Sequence, residues 1–143
     1  MKVRIIEDPE TEEGIAIITV RRITPEIERM KVLMEEQRMR CFFNGRERIV
    51  KASSIIMART EECGTMLHID DGTCCRSSLP LYRIEETLGK EFIRLSKWAI
   101  VRLSAVDSIA VHISGRTEVH LLSGISETLT RKYRASFKER IVK

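Results

Sequence analysis

The sequence predicts an α+β protein that is mainly β, and three observations lead to this fold class. From Met39 onward, short Ile- and Val-rich segments alternate with turn signals at about the eight- to twelve-residue spacing that is typical of sheets. Three other segments have the three- and four-residue apolar spacing of helices, near residues 25–37, 79–88 and 131–143. No apolar run approaches the roughly 20 residues that a membrane-spanning helix needs.

The first 37 residues predict a small ββα leader. Residues 3–6 and 15–20 are rich in Ile and Val and predict two short strands. Thr24 and Pro25 then supply an N-cap and a first helical residue for a helix that runs to about Gln37. The apolar stripe of this helix consists of Ile27, Met30, Leu33 and Met34. This stripe predicts either packing against the two leader strands or a dimerisation surface.

Residues 38–143 predict the main domain. The Asn44-Gly45 pair indicates a hairpin turn between strands, and the Asp71-Gly72 pair indicates a tight type I′ turn. A helix follows Ser78 and ends at Gly89, the residue type that best tolerates the left-handed conformation after a helix. Strand segments then continue to residue 129, and a basic amphipathic helix is expected over residues 131–143.

The charge is unevenly distributed between these two parts. Residues 1–37 contain six Lys and Arg against nine Asp and Glu, a net charge of −3, whereas residues 38–143 contain nineteen against twelve, a net charge of +7. A basic excess is what a domain that binds a polyanion needs, although it is also ordinary for a soluble domain. Nucleic acid is therefore one candidate partner of the second part.

Several chemistries lack sequence support. The four cysteines form no CxxC pair and have no histidine at zinc-finger spacing, so we expect reduced thiols, no metal and no cofactor. No nucleotide-binding, zinc-protease or serine-hydrolase motif occurs, so we expect neither an enzyme nor a small-molecule substrate. The N-terminus turns acidic after two or three apolar residues, unlike a secretory signal, so we expect a cytoplasmic protein.

Two motifs are the most informative part of the sequence. Residues 92–103 read FIRLSKWAIVRL, and residues 129–133 read LTRKY about thirty residues later. Together they resemble the signature of LytTR domains, a Phe-x-Arg-x-(His or Ser)-(Arg, Lys or Asn)-Ser-x-x-Val-Asn-Leu segment after a short helix, then two hairpin strands, then a Ser-Arg-like turn that opens the last helix. The resemblance covers residues 46–141. It implies a bacterial DNA-binding regulator, and the acidic leader resembles that of stand-alone members without a receiver domain.

The resemblance implies a mode of DNA binding without a recognition helix. In the family, loops at one edge of the β domain enter successive major grooves and contact the backbone between them. By position, Lys97 after Ser96 would contact a phosphate or a base edge, and Arg131 would read guanine through its bidentate fork. Lys132 and Arg94 would contact phosphates.

The third implied contact region is the loop Glu62-Cys63-Gly64, in which no single side chain can be assigned. Glu62 would repel phosphate there. Two other residues depart from the family pattern. Trp98 replaces a small Ser and would either pack in the sheet or lie against DNA, and Arg102 replaces Asn and would either contact DNA or be a solvent-facing strand residue.

The sequence thus predicts a sequence-specific transcriptional regulator that binds double-stranded DNA as a homodimer on repeated half-sites. The alternative is a protein-interaction adaptor that keeps the LytTR scaffold and binds DNA weakly or not at all. Single-stranded RNA binding ranks last because the interleaved aromatic platform is missing. The stand-alone relatives also imply a membrane-protein inhibitor as a partner of the leader.

Overall fold

The computed structural model describes residues 2–141. Met1, Val142 and Lys143 lie outside the described residues, and so do the last two residues of the predicted terminal helix. The chain divides into two compact units, Met1–Leu33 and Met34–Lys143.

The leader contains one helix, α1 (Pro25–Glu35), and the two strands predicted at residues 3–6 and 15–20 are not formed. The predicted N-cap is confirmed, because the Ile27 backbone N–H donates to Thr24 Oγ1 at 3.3 Å. The strand prediction was wrong because residues with high β propensity form a strand only where a neighbouring strand and an apolar surface are present. In addition, an isolated two-stranded sheet is only marginally stable in water. Val3, Ile5 and Ile17 are each at least 70% exposed.

The main unit begins with an antiparallel seven-stranded sheet, sheet A. Its strands are β1 (Arg38–Phe43), β2 (Arg46–Lys51), β3 (Ile55–Glu61), β4 (Gly64–Ile69), β5 (Cys74–Ser77), β6 (Phe92–Ser96) and β7 (Ala99–Arg102). They are arranged in the order β2-β1-β5-β4-β3-β7-β6. The structure confirms the mainly β prediction.

The two predicted hairpin turns differ. Asn44 and Gly45 have φ angles of 49° and 74°, as a type I′ turn between β1 and β2 requires. At Asp71-Gly72 the type I′ prediction was wrong, because only Gly72 has a positive φ there, 88°. The Asp71 carboxylate instead accepts hydrogen bonds from Thr73 and Arg48, which lower its pKa to about 2. These hydrogen bonds of the Asp71 side chain, rather than a type I′ turn, hold the loop between β4 and β5.

A second, three-stranded sheet and two helices complete the unit. Sheet B contains β8 (Val106–Val111), β9 (Thr117–Leu121) and β10 (Ser126–Leu129) in the order β10-β9-β8. Helix α2 (Leu81–Leu88) lies between β5 and β6 and ends at Gly89 with φ 71°, as predicted. Helix α3 (Arg131–Ile141) follows β10.

Two apolar clusters form the core. One contains Leu81 and Ile84 of α2, packed with sheet A residues such as Ile55 and Leu67. The other joins both sheets to α3 around Phe137, which is fully buried. Burying each large aliphatic or aromatic side chain contributes about 1.5–3 kcal/mol, so α3 is held firmly against the end of β6 and β10.

Candidate nucleic-acid interface

Two of the predicted contact regions lie at the same end of sheet A. β3 is antiparallel to both β4 and β7, and β6 is antiparallel to β7. The β3–β4 turn at residues 62–63 and the β6–β7 turn at residues 97–98 therefore project from one end. The Thr60 backbone N–H donates to the Trp98 carbonyl at 2.8 Å and joins the two turns directly.

The start of α3 lies at this end as well. The backbone N–H and the hydroxyl of Thr130 both donate to the Leu95 carbonyl, at 2.9 and 3.2 Å. Because Leu95 is next to Ser96, these bonds place Arg131 beside the β6–β7 turn. We call residues 62–64, 96–98 and 130–132 the loop end.

Lys97 and Trp98 form the exposed tip of the β6–β7 turn. Ser96 is buried beneath them, and its Oγ accepts a hydrogen bond from the Trp98 backbone N–H at 3.1 Å. Trp98 is 51% exposed, so about half of its surface faces water. The Lys97 Nζ lies 5.5 Å from the centroid of that ring, a cation–π contact that pairs a positive charge with a flat apolar surface.

Arg94 supports the β6–β7 turn through hydrogen bonds. Its Nε donates to Glu85 Oε2 of α2 at 2.6 Å, and its Nη1 donates to the Lys97 carbonyl at 3.0 Å. The side chain is 20% exposed. The structure thus gives Arg94 a positioning role for Lys97, while its predicted phosphate contact stays a prediction.

The N-terminus of α3 carries an unbalanced positive charge. Arg131 and Lys132 are exposed in its first turn, which contains no acidic residue. Helix N-termini already present partial positive charge through unpaired N–H groups, so cations placed there are unfavourable for the helix unless an anion lies close by. A phosphate group or the N7 and O6 edge of a guanine would offset this positive charge.

The β3–β4 turn contributes a different surface. Gly64 has φ 127°, and a side chain there would meet the Ser77 carbonyl at 3.4 Å. Cys63 is an exposed thiol, and all four cysteines are free. Glu62 is also exposed, so this turn is the one acidic part of the loop end.

Arg102 lies away from the loop end. β7 begins there at Ala99 and ends at Arg102, and the side chain of Arg102 is only 12% exposed. Its Nε donates to the Ile55 carbonyl at 2.9 Å and its Nη2 to the Ala52 carbonyl at 2.5 Å, while Nη1 contacts Glu91. The interpretation as a solvent-facing strand residue was wrong because β7 is internal and these carbonyls lie within reach.

We predict a structural effect of Arg102→Met. The apolar stem is kept, but two backbone carbonyls lose a charged donor, so unfolding should become easier by about 2 kcal/mol. Urea denaturation followed by circular dichroism measures this, with exposed Arg46→Met as the matched control. DNA affinity of the folded variant should stay unchanged. A large loss of affinity at normal stability would show that Arg102 contacts DNA after all.

Sequence reasoning missed one segment at this end. Thr117 pairs with Val111 on one side and with Leu129 on the other, so the β8–β9 turn lies next to the start of α3. Ser114-Gly115 marks a turn in the sequence, but nothing in the pattern places it beside Arg131.

Comparisons with known proteins agree with this geometry. A family model described as the LytTr DNA-binding domain matches residues 45–142. A solved structure of the LytTr DNA-binding domain of a Bacillus cereus protein, described as a methyl-accepting/DNA response regulator, matches with a TM-score of 0.65 and 16% identity. The match covers 71% of this chain and 94% of that chain, and at this identity it establishes the fold. No curated protein sequence matches significantly.

None of the helices within residues 2–141 is long and apolar enough to cross a membrane. Within the same residues, no group of three His, Cys, Asp or Glu side chains is placed to hold a metal ion.

Proposed function

Because the chain belongs to the LytTR DNA-binding domain family, we propose that it is a cytoplasmic bacterial transcriptional regulator that reads DNA half-sites through its loop end. The observation that carries this proposal is the convergence of three separate chain segments at one end of the fold. Their hydrogen bonds, Thr60 to Trp98 and Thr130 to Leu95, fix their relative positions before DNA arrives. Pre-organised contacts lose less conformational entropy on binding.

The exposed cations of the loop end take different roles in this proposal. Arg131 reads a guanine through its planar fork, which matches the N7 and O6 acceptors in the major groove. Lys97 and Lys132 contact phosphates, which fix register and supply affinity without sequence information. Ser96 and Arg94 hold the Lys97 turn in place.

The leader supplies self-association in the same proposal. α1 has no buried residue, and Leu33 and Met34 are each more than 60% exposed. A second copy that covers this stripe would bring two reading domains together on repeated half-sites. A membrane-protein inhibitor that binds the leader would compete for the same surface.

A protein-interaction adaptor on the same scaffold is the second candidate. It is favoured by the exposed Glu62, which repels phosphate, and by the half-exposed Trp98, a residue type enriched at protein interfaces. The adaptor would show no retarded complex with any duplex at physiological salt.

The test combines DNA titration with the fluorescence of Trp98, the single Trp of the chain. The DNA upstream of the protein's own gene should produce a retarded complex, and binding should quench or shift the Trp98 emission because DNA replaces water at its ring. A shuffled duplex of equal length is the control and should bind more weakly and with a steep salt dependence. Saturation without a spectral change would separate Trp98 from the interface, and absence of any complex would favour the adaptor.

A further inference from the structure

The β8–β9 hairpin tip, residues 112–116, has a fixed position at the loop end. It is closed by its own backbone bonds, His112 N–H to the Arg116 carbonyl and Gly115 N–H to the His112 carbonyl, both at 2.8 Å. Arg134 of α3 also donates through Nη2 to the Gly115 carbonyl at 2.7 Å. Since Arg134 follows Arg131 by three residues, both lie on one face of α3. The tip therefore stands beside the residue proposed to read a base.

The chemistry of the tip is apolar and basic. Ile113 is fully exposed at its apex, where it contributes nothing to the core. The Arg116 side chain is 58% exposed, and residues 112–116 contain no acidic residue. An apolar side chain at such a position can contact a sugar or a thymine methyl group, while the cation beside it neutralises a phosphate.

Glu118 is the carboxylate that faces this tip. It lies 2.5 Å from Arg116 Nη2, 3.3 Å from His112 Nε2 and 3.9 Å from His120 Nε2. The hydrogen bond from His112 and the charge of Arg116 lower its pKa, so Glu118 stays ionised beside Arg116. A phosphate that approaches the tip would compete with Glu118 for Arg116.

A second copy of the chain is a less suitable partner for the β8–β9 tip than DNA. Ile109 and Val111 are exposed on β8, an edge strand of sheet B, and Ile113 is exposed just beyond its end, which suggests strand pairing. A two-fold axis that pairs β8 with the same strand of another copy in the antiparallel sense would point the two loop ends in opposite directions. Such a dimer could not place both loop ends on one duplex.

We propose that the β8–β9 tip is an additional DNA contact, in which Arg116 binds a backbone phosphate and Ile113 packs against a deoxyribose or base edge at the border of the half-site. The proposal rests on the proposed DNA-binding function. It extends the contact surface from three chain segments to four, and the fourth is held by α3 through Arg134.

The experiment compares full-length variants in DNA titrations across a range of salt. Arg116→Ala should weaken binding about threefold to tenfold and reduce the slope of log affinity against log salt by about 1, since one phosphate contact is lost. Ile113→Ser should weaken binding by a similar factor with an unchanged slope, since it removes apolar contact alone. Leu122→Ser, at the β9–β10 turn on the opposite end of sheet B and 70% exposed, is the matched control and should bind like the wild type.

Three other outcomes would contradict either the additional contact or the proposed function. Wild-type affinity and slope in both tip variants would overturn the additional contact while leaving the proposed function intact. A change in sedimentation of Ile113→Ser without a change in DNA affinity would assign the tip to a protein interface and also overturn it. Failure of the wild-type chain to bind any duplex would instead refute the proposed function on which it rests.

Discussion

Arg131→Ala is expected to weaken binding to the cognate site by about 1–3 kcal/mol, roughly 5- to 150-fold, and to relax discrimination at one base pair. The guanidinium stands in the first turn of α3, and the two Thr130 bonds to Leu95 fix where that turn begins. Ala keeps the helix, so the change in discrimination at one base pair reports the base contact, whereas a loss shared by all duplexes reports the removed charge. Competition titrations against a series of single-base substitutions give the change at each position.

Lys97→Ala provides the contrasting result for the same surface. A phosphate contact carries no sequence information, so its loss should weaken all duplexes alike and lower the salt dependence by about one counterion. Lys138→Ala removes the same charge from the later part of α3 and serves as the matched control. Unchanged binding in both Arg131→Ala and Lys97→Ala would remove these residues from the interface.

Much of the loop end could be predicted from the sequence because its determinants are local. In the FIRLSKW segment the structure buries the strand up to Leu95 and Ser96 and exposes Lys97 at the turn, as the motif indicates. Thr130 opens the last helix as the second motif indicates. The Asn44-Gly45 turn and the Gly89 helix end were also predictable, because each depends on a backbone conformation that few residue types adopt.

The features that sequence reasoning missed depend on contacts between distant segments. Nothing in residues 15–20 reveals that their β-type side chains find no partner strand within the described chain. Arg102 resembles a surface residue until β3 and the segment before it bring the Ile55 and Ala52 carbonyls to its guanidinium. The position of the β8–β9 tip follows from strand pairing across sheet B, which the spacing of turn signals does not encode.

Removal of the leader is expected to have the largest effect on operator binding. A chain of residues 38–143 lacks α1 and should sediment as a monomer, because the stripe of Ile27, Met30, Leu33 and Met34 is removed. Leu33 and Met34 are its exposed members, and Ile27 and Met30 are half-buried. Joining two domains makes the second half-site contact effectively intramolecular, which multiplies affinity by about 100- to 10,000-fold when the geometry permits. Loss of the leader should therefore reduce affinity for a double site by up to that factor.

The control for this deletion is a comparison of DNA that carries one half-site with DNA that carries two. The leader carries a net charge of −3, so its removal alone should raise affinity for any polyanion, including a single half-site. The ratio of double-site to single-site affinity cancels this electrostatic change and isolates avidity. A full-length chain with Leu33→Lys and Met34→Lys should lose the same ratio while its leader is retained. A truncated chain that remains dimeric would place the dimer contact elsewhere, and one that fails to fold would show that the stripe completes the core.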